Sequence, residues 1–266
     1  MFDFRLTLPA LGLGAVLALF GTGCSTVPET GRKQLNMFSS QEEMKLGLTE
    51  FDKMKKDVPI SKNAEANAMV QRVGKRIAAV AQLPDAQWEF VVFESKEANA
   101  FCLPGGKVGI YTGILPICQD DAGLAAVMGH EVAHAVARHG GERMTAAAGI
   151  STVGQLGGAY LGTTKYSDWA PLAMQAYGVG SQVGVALPHS RSQEAEADEI
   201  GLLYMARAGY DPKAAVGFWE RFAEYNAKAG GEKTAWFLST HPTDADRIAN
   251  LKALLPKAEA QYRPAN

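Results

Sequence analysis

Apolar residues recur at two different periods along this chain, and the switches divide it into elements. Ser39-Ser40-Gln41-Glu42-Glu43 has the form of a capping box and predicts a helix to about Lys56, broken by Val58-Pro59. Val70, Val73, Ile77 and Val80 stand at helical spacing in a second helix, about Ser61 to Ala81, ended by Leu83-Pro84. The pattern then changes to short apolar, β-branched runs. Trp88 to Glu94, Ala98 to Leu103 and Lys107 to Tyr111 read as three strands, the last two joined through Pro104-Gly105-Gly106. Asp120 or Asp121 caps the return to helix, which carries Leu124, Val127, Met128 and Val132 to about His139; Gly140-Gly141 marks its end or a bend.

From Met144 to Val185 the chain is rich in Ala, Gly, Thr and Ser and reads as a helix pair or a mobile cover, too interrupted for a membrane span. Leu187 to Arg191 is a predicted loop into a helix from Ser192 to about Ala208. Asp211-Pro212 starts another helix, to about Ala229. After the loop Ser239-Thr240-His241-Pro242, Thr243 caps a last helix to about Leu255. The stretch 257–266 is expected to fray.

The opening residues fall outside this pattern. Leu6 to Phe20 is an apolar stretch of signal-peptide length behind Arg5, and Gly21-Thr22-Gly23-Cys24 resembles a bacterial lipoprotein cleavage site. The expected organisation is a signal peptide at 1–23, a tether at 24–38 lipidated on Cys24, and one domain at 39–256. That places the protein in the periplasm on a lipid anchor, with the outer membrane favoured by Ser25. An ordinary secretory signal or an uncleaved anchor are the other readings.

Net charge is −2 over 266 residues, so no large basic surface points to nucleic acid. With 47% apolar and 20% charged residues the composition is that of a globular domain. Once Cys24 is set aside, Cys102 and Cys118 form an even pair, either bridged or separate small core residues.

The candidate chemistry lies in His130-Glu131-Val132-Ala133-His134. A helix advances about 100° per residue, so both imidazoles reach one metal ion from one face, with Glu131 beside them as a general base. Zinc with an open position needs a third protein ligand. Glu194 and Asp198, four residues apart on the helix after Arg191, supply a carboxylate for the metal and one for the outer nitrogen of a ligand histidine. Alanines between the acids let two helices approach closely. Glu196 points elsewhere and reads as a solvated acid. His139 lies half a turn round the helix and is not expected to bind metal; His189, in the loop before Glu194, is a minor candidate for touching the site.

The chain resembles the zinc metalloendopeptidase family of the CAAX prenyl, HtpX-type and Oma-type proteases. The resemblance rests on Asn99 to Gly106, Tyr111-Thr112-Gly113, His130 to His139, Ser190 to Asp198 and Ser239 to Pro242. Its closest likeness is to the family's bacterial periplasmic lipoprotein members. It implies an α+β fold, mostly helical, with a zincin-like (gluzincin) core and a small mixed sheet beside the metal-binding helix. One zinc ion would be held by His130, His134 and Glu194. Asn99, Ala100 and Phe101 would lie on a sheet edge that binds extended substrate. His241 would stand near the metal, as an oxyanion donor or a fourth ligand. The expected activity is cleavage of misfolded or unassembled envelope proteins. The alternative is a chaperone or assembly factor with a latent or structural zinc site. Oligomeric state is not readable from the sequence.

Overall fold

The computed structural model describes residues 23–164, 166–181, 187–228, 241 and 245–264. The leader at 1–22 lies outside the described residues, as do Ser239, Thr240, Pro242, Thr243 and the side chain of His189.

Cys24–Thr26 (β1) and Lys33–Leu35 (β2) pair as an antiparallel hairpin. This corrects the expected tether at 24–38. Val27 is fully buried, Gln34 donates to the Ala137 carbonyl at 2.9 Å, and Asn36 donates to Glu43 at 2.6 Å. A polar, turn-rich stretch reads as a linker when the groups that satisfy it are remote in sequence, as they are here.

Ser40–Asp57 (α1) begins with both halves of the Ser39–Glu42 capping box, and Asn63 caps Ala64–Ala78 (α2). Glu89–Phe93 (β3), Ala100–Leu103 (β4) and Lys107–Tyr111 (β5) form a mixed sheet in the order β3-β5-β4, with β5 parallel to β3 and antiparallel to β4. Side-chain alternation divides the core into two layers. Val92, Ala100, Val108 and Ile110 face the main helical core, while Phe93, Phe101 and Tyr111 pack with Phe51 of α1 in an aromatic layer on the other face. The central strand β5 is buried at every position.

Leu115–Cys118 (α3) is a single turn that leads to Asp121–Val136 (α4), the helix that carries the histidine pair. Asp120 is its cap, accepting from the Gly123 N–H at 2.8 Å. The helix ends three residues before the expected His139. Arg138 takes a left-handed conformation (φ 56°), and His139–Gly162 (α5) begins at once. Such a φ costs a side-chain-bearing residue about 1–2 kcal/mol. Here the Arg138 guanidinium is held by Glu43 at 2.9 Å and by the Phe38 carbonyl. Gly140 and Gly141 therefore lie inside α5; a Cβ on Gly141 would collide with the side chains of Glu43 and Asn36.

Ala170–Ser181 (α6) packs back on α5, which bears out a helix pair. The pair is apolar on its outside, with Leu156, Tyr160 and Trp169 all exposed. No described helix is long and apolar enough to cross a membrane. Leu187–Arg207 (α7) starts earlier than expected, taking in the predicted loop. Lys213–Lys228 (α8) follows an Asp211 cap, and Ala245–Glu259 (α9) runs through Pro256 beyond its expected end. The described part of the tail, 257–264, is not frayed: Ala258 is buried, and Gln261 accepts from Arg207 at 2.6 Å. Of the two readings of the cysteine pair, the structure has the separate one. Cys102 on β4 and Cys118 on α3 are both free thiols, and burial pushes both well above the ordinary thiol range.

Helices α4 and α7 cross with backbone against backbone. A Cβ on Gly129 would lie 2.8 Å from the Gly201 carbonyl oxygen, and one on Gly201 would lie 2.9 Å from the His130 nitrogen. Backbone meets backbone there, so neither side has a rotamer to change. Gly201→Ala forces the helices apart. Overpacking of this kind costs about 1–3 kcal/mol, which for a chain of this size lowers Tm by roughly 3–10 °C. A thermal melt checks the stability, and zinc content checks that the ligands separate with the helices.

Candidate active site

Four side chains from three parts of the chain converge where α4 and α7 cross. Donor atoms of His130, His134, Glu194 and His241 all lie within 4.8 Å of one another. His130 Nε2 is 3.1 Å from His134 Nε2, 3.2 Å from Glu194 Oε2 and 3.0 Å from His241 Nδ1, and His134 Nε2 is 3.3 Å from Glu194 Oε1. Tetrahedral zinc with ligand bonds near 2.1 Å separates its donors by about 3.4 Å, so this spacing fits. The donor chemistry fits too. Imidazole lone pairs this close repel each other unless a proton or a metal cation lies between them, and three imidazoles with a carboxylate are a donor set that zinc accepts.

Helical spacing sets the geometry. His130 and His134 are one turn apart on α4, and Glu194 and Asp198 are one turn apart on α7. The upper acid meets the cluster, and the lower acid meets the outer nitrogen of His130, with Asp198 Oδ1 2.9 Å from Nδ1. Burial disfavours the His130 cation, but Asp198 and Glu194 outweigh it and raise the imidazole to about 9. Burial likewise works against the Glu194 carboxylate, yet the three imidazoles around it hold it far below the ordinary carboxylate range.

Glu131 is buried beside the cluster, and burial raises its carboxyl above the ordinary value. Its Oε1 makes no hydrogen bond among the described residues, and His241 Nε2 stands 3.5 Å away. A buried acceptor left open next to a metal-ligand cluster is the arrangement a general base needs.

Three supporting groups escaped the sequence. Arg247, on α9, forks onto Asp198 at 2.8 and 2.7 Å, and its guanidinium lies over the Trp219 ring at 3.5 Å from the centroid. The Trp219 ring also packs edge-on against His130, with centroids 5.3 Å apart. A single arginine on an amphipathic helix carries no signal of burial. Glu196 is the second case. Read as solvated, it is buried, accepting from Arg32 at 2.8 Å and from the Thr30 hydroxyl. His139 is the third. It stays out of the metal cluster as expected, but its ring lies between His134 and Glu196, at 2.7 and 2.9 Å. The left-handed Arg138 turns the chain and brings that ring round, which no helical wheel foresees.

The substrate-edge residues divide. β4 is an edge of the sheet and packs beside α4. The Phe101 side chain points away from α4 into the aromatic layer, so only its main chain is presented along that edge. Asn99 is buried, and its carbonyl accepts from the Tyr111 N–H at 3.0 Å.

A histidine pair on one helix, a carboxylate from a crossing helix and an open buried glutamate define the class: a metal-dependent hydrolase of the zincin kind. The chain belongs to peptidase family M48, whose match spans residues 64–255, and it is a zinc metalloprotease. It is 36% identical to the mitochondrial metalloendopeptidase OMA1 of Schizosaccharomyces pombe, over 93% of this chain and 72% of that protein. It is 31% identical to the mitochondrial metalloendopeptidase OMA1 of Homo sapiens, over 95% of this chain and 50% of that one. The beta-barrel assembly-enhancing protease of Escherichia coli is 26% identical, over 92% of this chain and 50% of that one. The chain thus spans only about half the length of the last two relatives. These relatives overturn the expected localisation. The more similar ones are named as mitochondrial, so the periplasmic placement on a lipidated Cys24 at the outer membrane does not stand.

The Asp198 contact is testable apart from catalysis. Asp198→Asn keeps the shape but removes the charge facing His130 and Arg247. Zinc affinity, read by competition with a chromophoric chelator, should fall about 10–100-fold.

Proposed function

We propose that this chain is an endopeptidase that cleaves extended segments of unfolded or unassembled proteins. The observation that carries the reading is the open, buried Glu131 Oε1 beside the His130–His134–Glu194 cluster. His130 and His134 through Nε2, and Glu194 through its carboxylate, would hold the zinc ion. When bound, the ion supplies Lewis acidity that brings a water toward ionisation at neutral pH. Glu131 accepts the proton of the attacking water and passes it to the nitrogen of the leaving amine. The β4 edge offers main-chain groups to an extended peptide, which suits substrates selected for being unfolded more than for sequence. An assembly factor that holds clients without cutting them is the competing reading. Wild type and Glu131→Gln, both loaded with zinc, separate the two on casein. Cleavage by wild type with a loss of about 10²–10⁴-fold in the variant supports the peptidase. Intact casein that stays bound to both proteins overturns it.

His241 defines a resting state in the same reading. Its Nδ1 sits 2.7 Å from Glu194 Oε2 inside the donor cluster, while its Nε2 faces Glu131. As a fourth ligand it occupies the position that the water and the scissile carbonyl require. His241→Ala should raise cleavage of a short flexible peptide several-fold and weaken zinc binding. Unchanged activity together with unchanged affinity removes His241 from the site's chemistry.

A further inference from the structure

The two ligand histidines are backed differently. Behind His130 Nδ1 stands a carboxylate, Asp198. Behind His134 Nδ1 stands a second imidazole, with His139 Nδ1 at 2.7 Å, and behind that a carboxylate, with His139 Nε2 2.9 Å from Glu196 Oε2. Glu196 is itself fixed by Arg32 and Thr30 from the β1–β2 hairpin. Arg32 also forks onto Glu142 of α5 at 2.7 and 2.9 Å.

Counting protons leaves one arrangement of this chain that frees His134 for a metal. Two ring nitrogens at hydrogen-bond distance need one proton between them. If His139 Nδ1 carries it, His134 Nδ1 is the acceptor, and a neutral His134 must then be protonated at Nε2. That proton would point into the donor cluster and block ligation. A doubly protonated His139 gives the same result at His134. If His134 Nδ1 carries the proton, His139 Nδ1 accepts, His139 Nε2–H donates to the Glu196 carboxylate, and His134 Nε2 is bare. Every donor then meets an acceptor.

We infer that His139 is a positioning residue for the zinc site, an imidazole relay that hands the charge of Glu196 to His134 and fixes its tautomer. The inference rests on the zinc site argued above and goes beyond it. It ties metal affinity to the N-terminal hairpin, since Arg32 and Thr30 hold Glu196. It also separates the roles of Glu194, Glu196 and Asp198, three acids two residues apart on one helix. Asp198 backs His130 from one side of α7, Glu196 backs His134 through His139, and Glu194 faces the metal.

The test uses the full chain, with zinc affinity read by chelator competition and imidazole tautomers read by nitrogen-15 NMR. In the zinc-loaded wild type, His139 should carry its proton on Nε2 and be bare at Nδ1. His139→Asn keeps an acceptor where Nδ1 was but has no group to reach Glu196, and should bind zinc more weakly than wild type yet more tightly than a variant with no acceptor there. His139→Phe fills the space without an acceptor and should lose about 10–100-fold. Should the phenylalanine variant fail to fold, the wild-type tautomers still decide. A proton on His139 Nδ1, or equal affinity in the folded phenylalanine variant, overturns the relay. Glu194→Ala is the control for the site itself: a wild type that takes up no more zinc than this variant sinks the zinc site and the relay together, whereas zinc uptake by wild type with unaltered affinity in His139→Phe sinks the relay alone.

Discussion

The backbone contact between Gly129 and Gly201 sets the position of everything else in the site. Ordinary helix pairs pack about 8–10 Å apart, a distance fixed by the side chains between them. Where two glycines meet, the axes come closer. Glutamate and aspartate are short acids, and only at close approach can Glu194 reach the metal position while Asp198 reaches the far side of the same imidazole. The alanines on α7 contribute small size, and Ala197 is fully buried. The glycines bring the backbones together, one immediately before His130 and the other three residues beyond Asp198. The sheet and its aromatic layer then serve as a platform that holds α4 in place, with Val108 and Ile110 in the core around that helix.

Such closeness concentrates charge, and the fold has to balance it. Glu43, Glu131, Glu142, Glu194, Glu196 and Asp198 are all buried. A buried carboxylate without a partner costs several kcal/mol, so each needs a cation or a set of donors. Arg138 pairs with Glu43, Arg32 with Glu142 and Glu196, and Arg247 with Asp198. Glu131 alone keeps an oxygen without a hydrogen bond among the described residues, and it is the one whose proposed work requires that. The arginines come from widely separated places: β1–β2, the α4–α5 junction and α9. Each end of the described chain therefore contributes to the charge balance of a site whose ligands sit near the middle, and the hairpin at 24–36 belongs to the domain.

The sequence displayed the donor residues of the cluster and hid their supports, for a physical reason. His130, His134, Glu194 and Asp198 repeat at the one-turn spacing, and a helix turns that spacing directly into a shared face. The sheet showed itself through short β-branched runs between turn residues, and the helix starts through their capping residues. Arg32, Arg247 and Trp219 act across more than a hundred residues of chain or through the tertiary packing of α8 and α9, and no local period encodes that. The error on Glu196 has the same root. Two residues from Glu194 on a helix is the opposite side, which local pattern assigns to solvent; the β1–β2 hairpin covers that side. Local pattern puts the bend at Gly140-Gly141, because glycine is the usual bearer of positive φ, and the structure has it at Arg138. A guanidinium anchored by Glu43 carries it instead.

One consequence concerns how the site could change state without coming apart. His241 and Arg247 are six residues apart on the same stretch, one in the donor cluster and the other clamped between Asp198 and Trp219. Arg247 is held by a two-pronged ion pair and a ring face, both outside the donor cluster. Loss of the histidine from the donor set would therefore leave the arginine, and with it the Asp198–His130 contact, in place. The ligand frame of His130, His134 and Glu194 is built on two crossing helices that such a step need not move. In the proposed reading, a fourth ligand on a stretch separate from those helices is exchanged for substrate while the three proposed metal ligands stay preorganised.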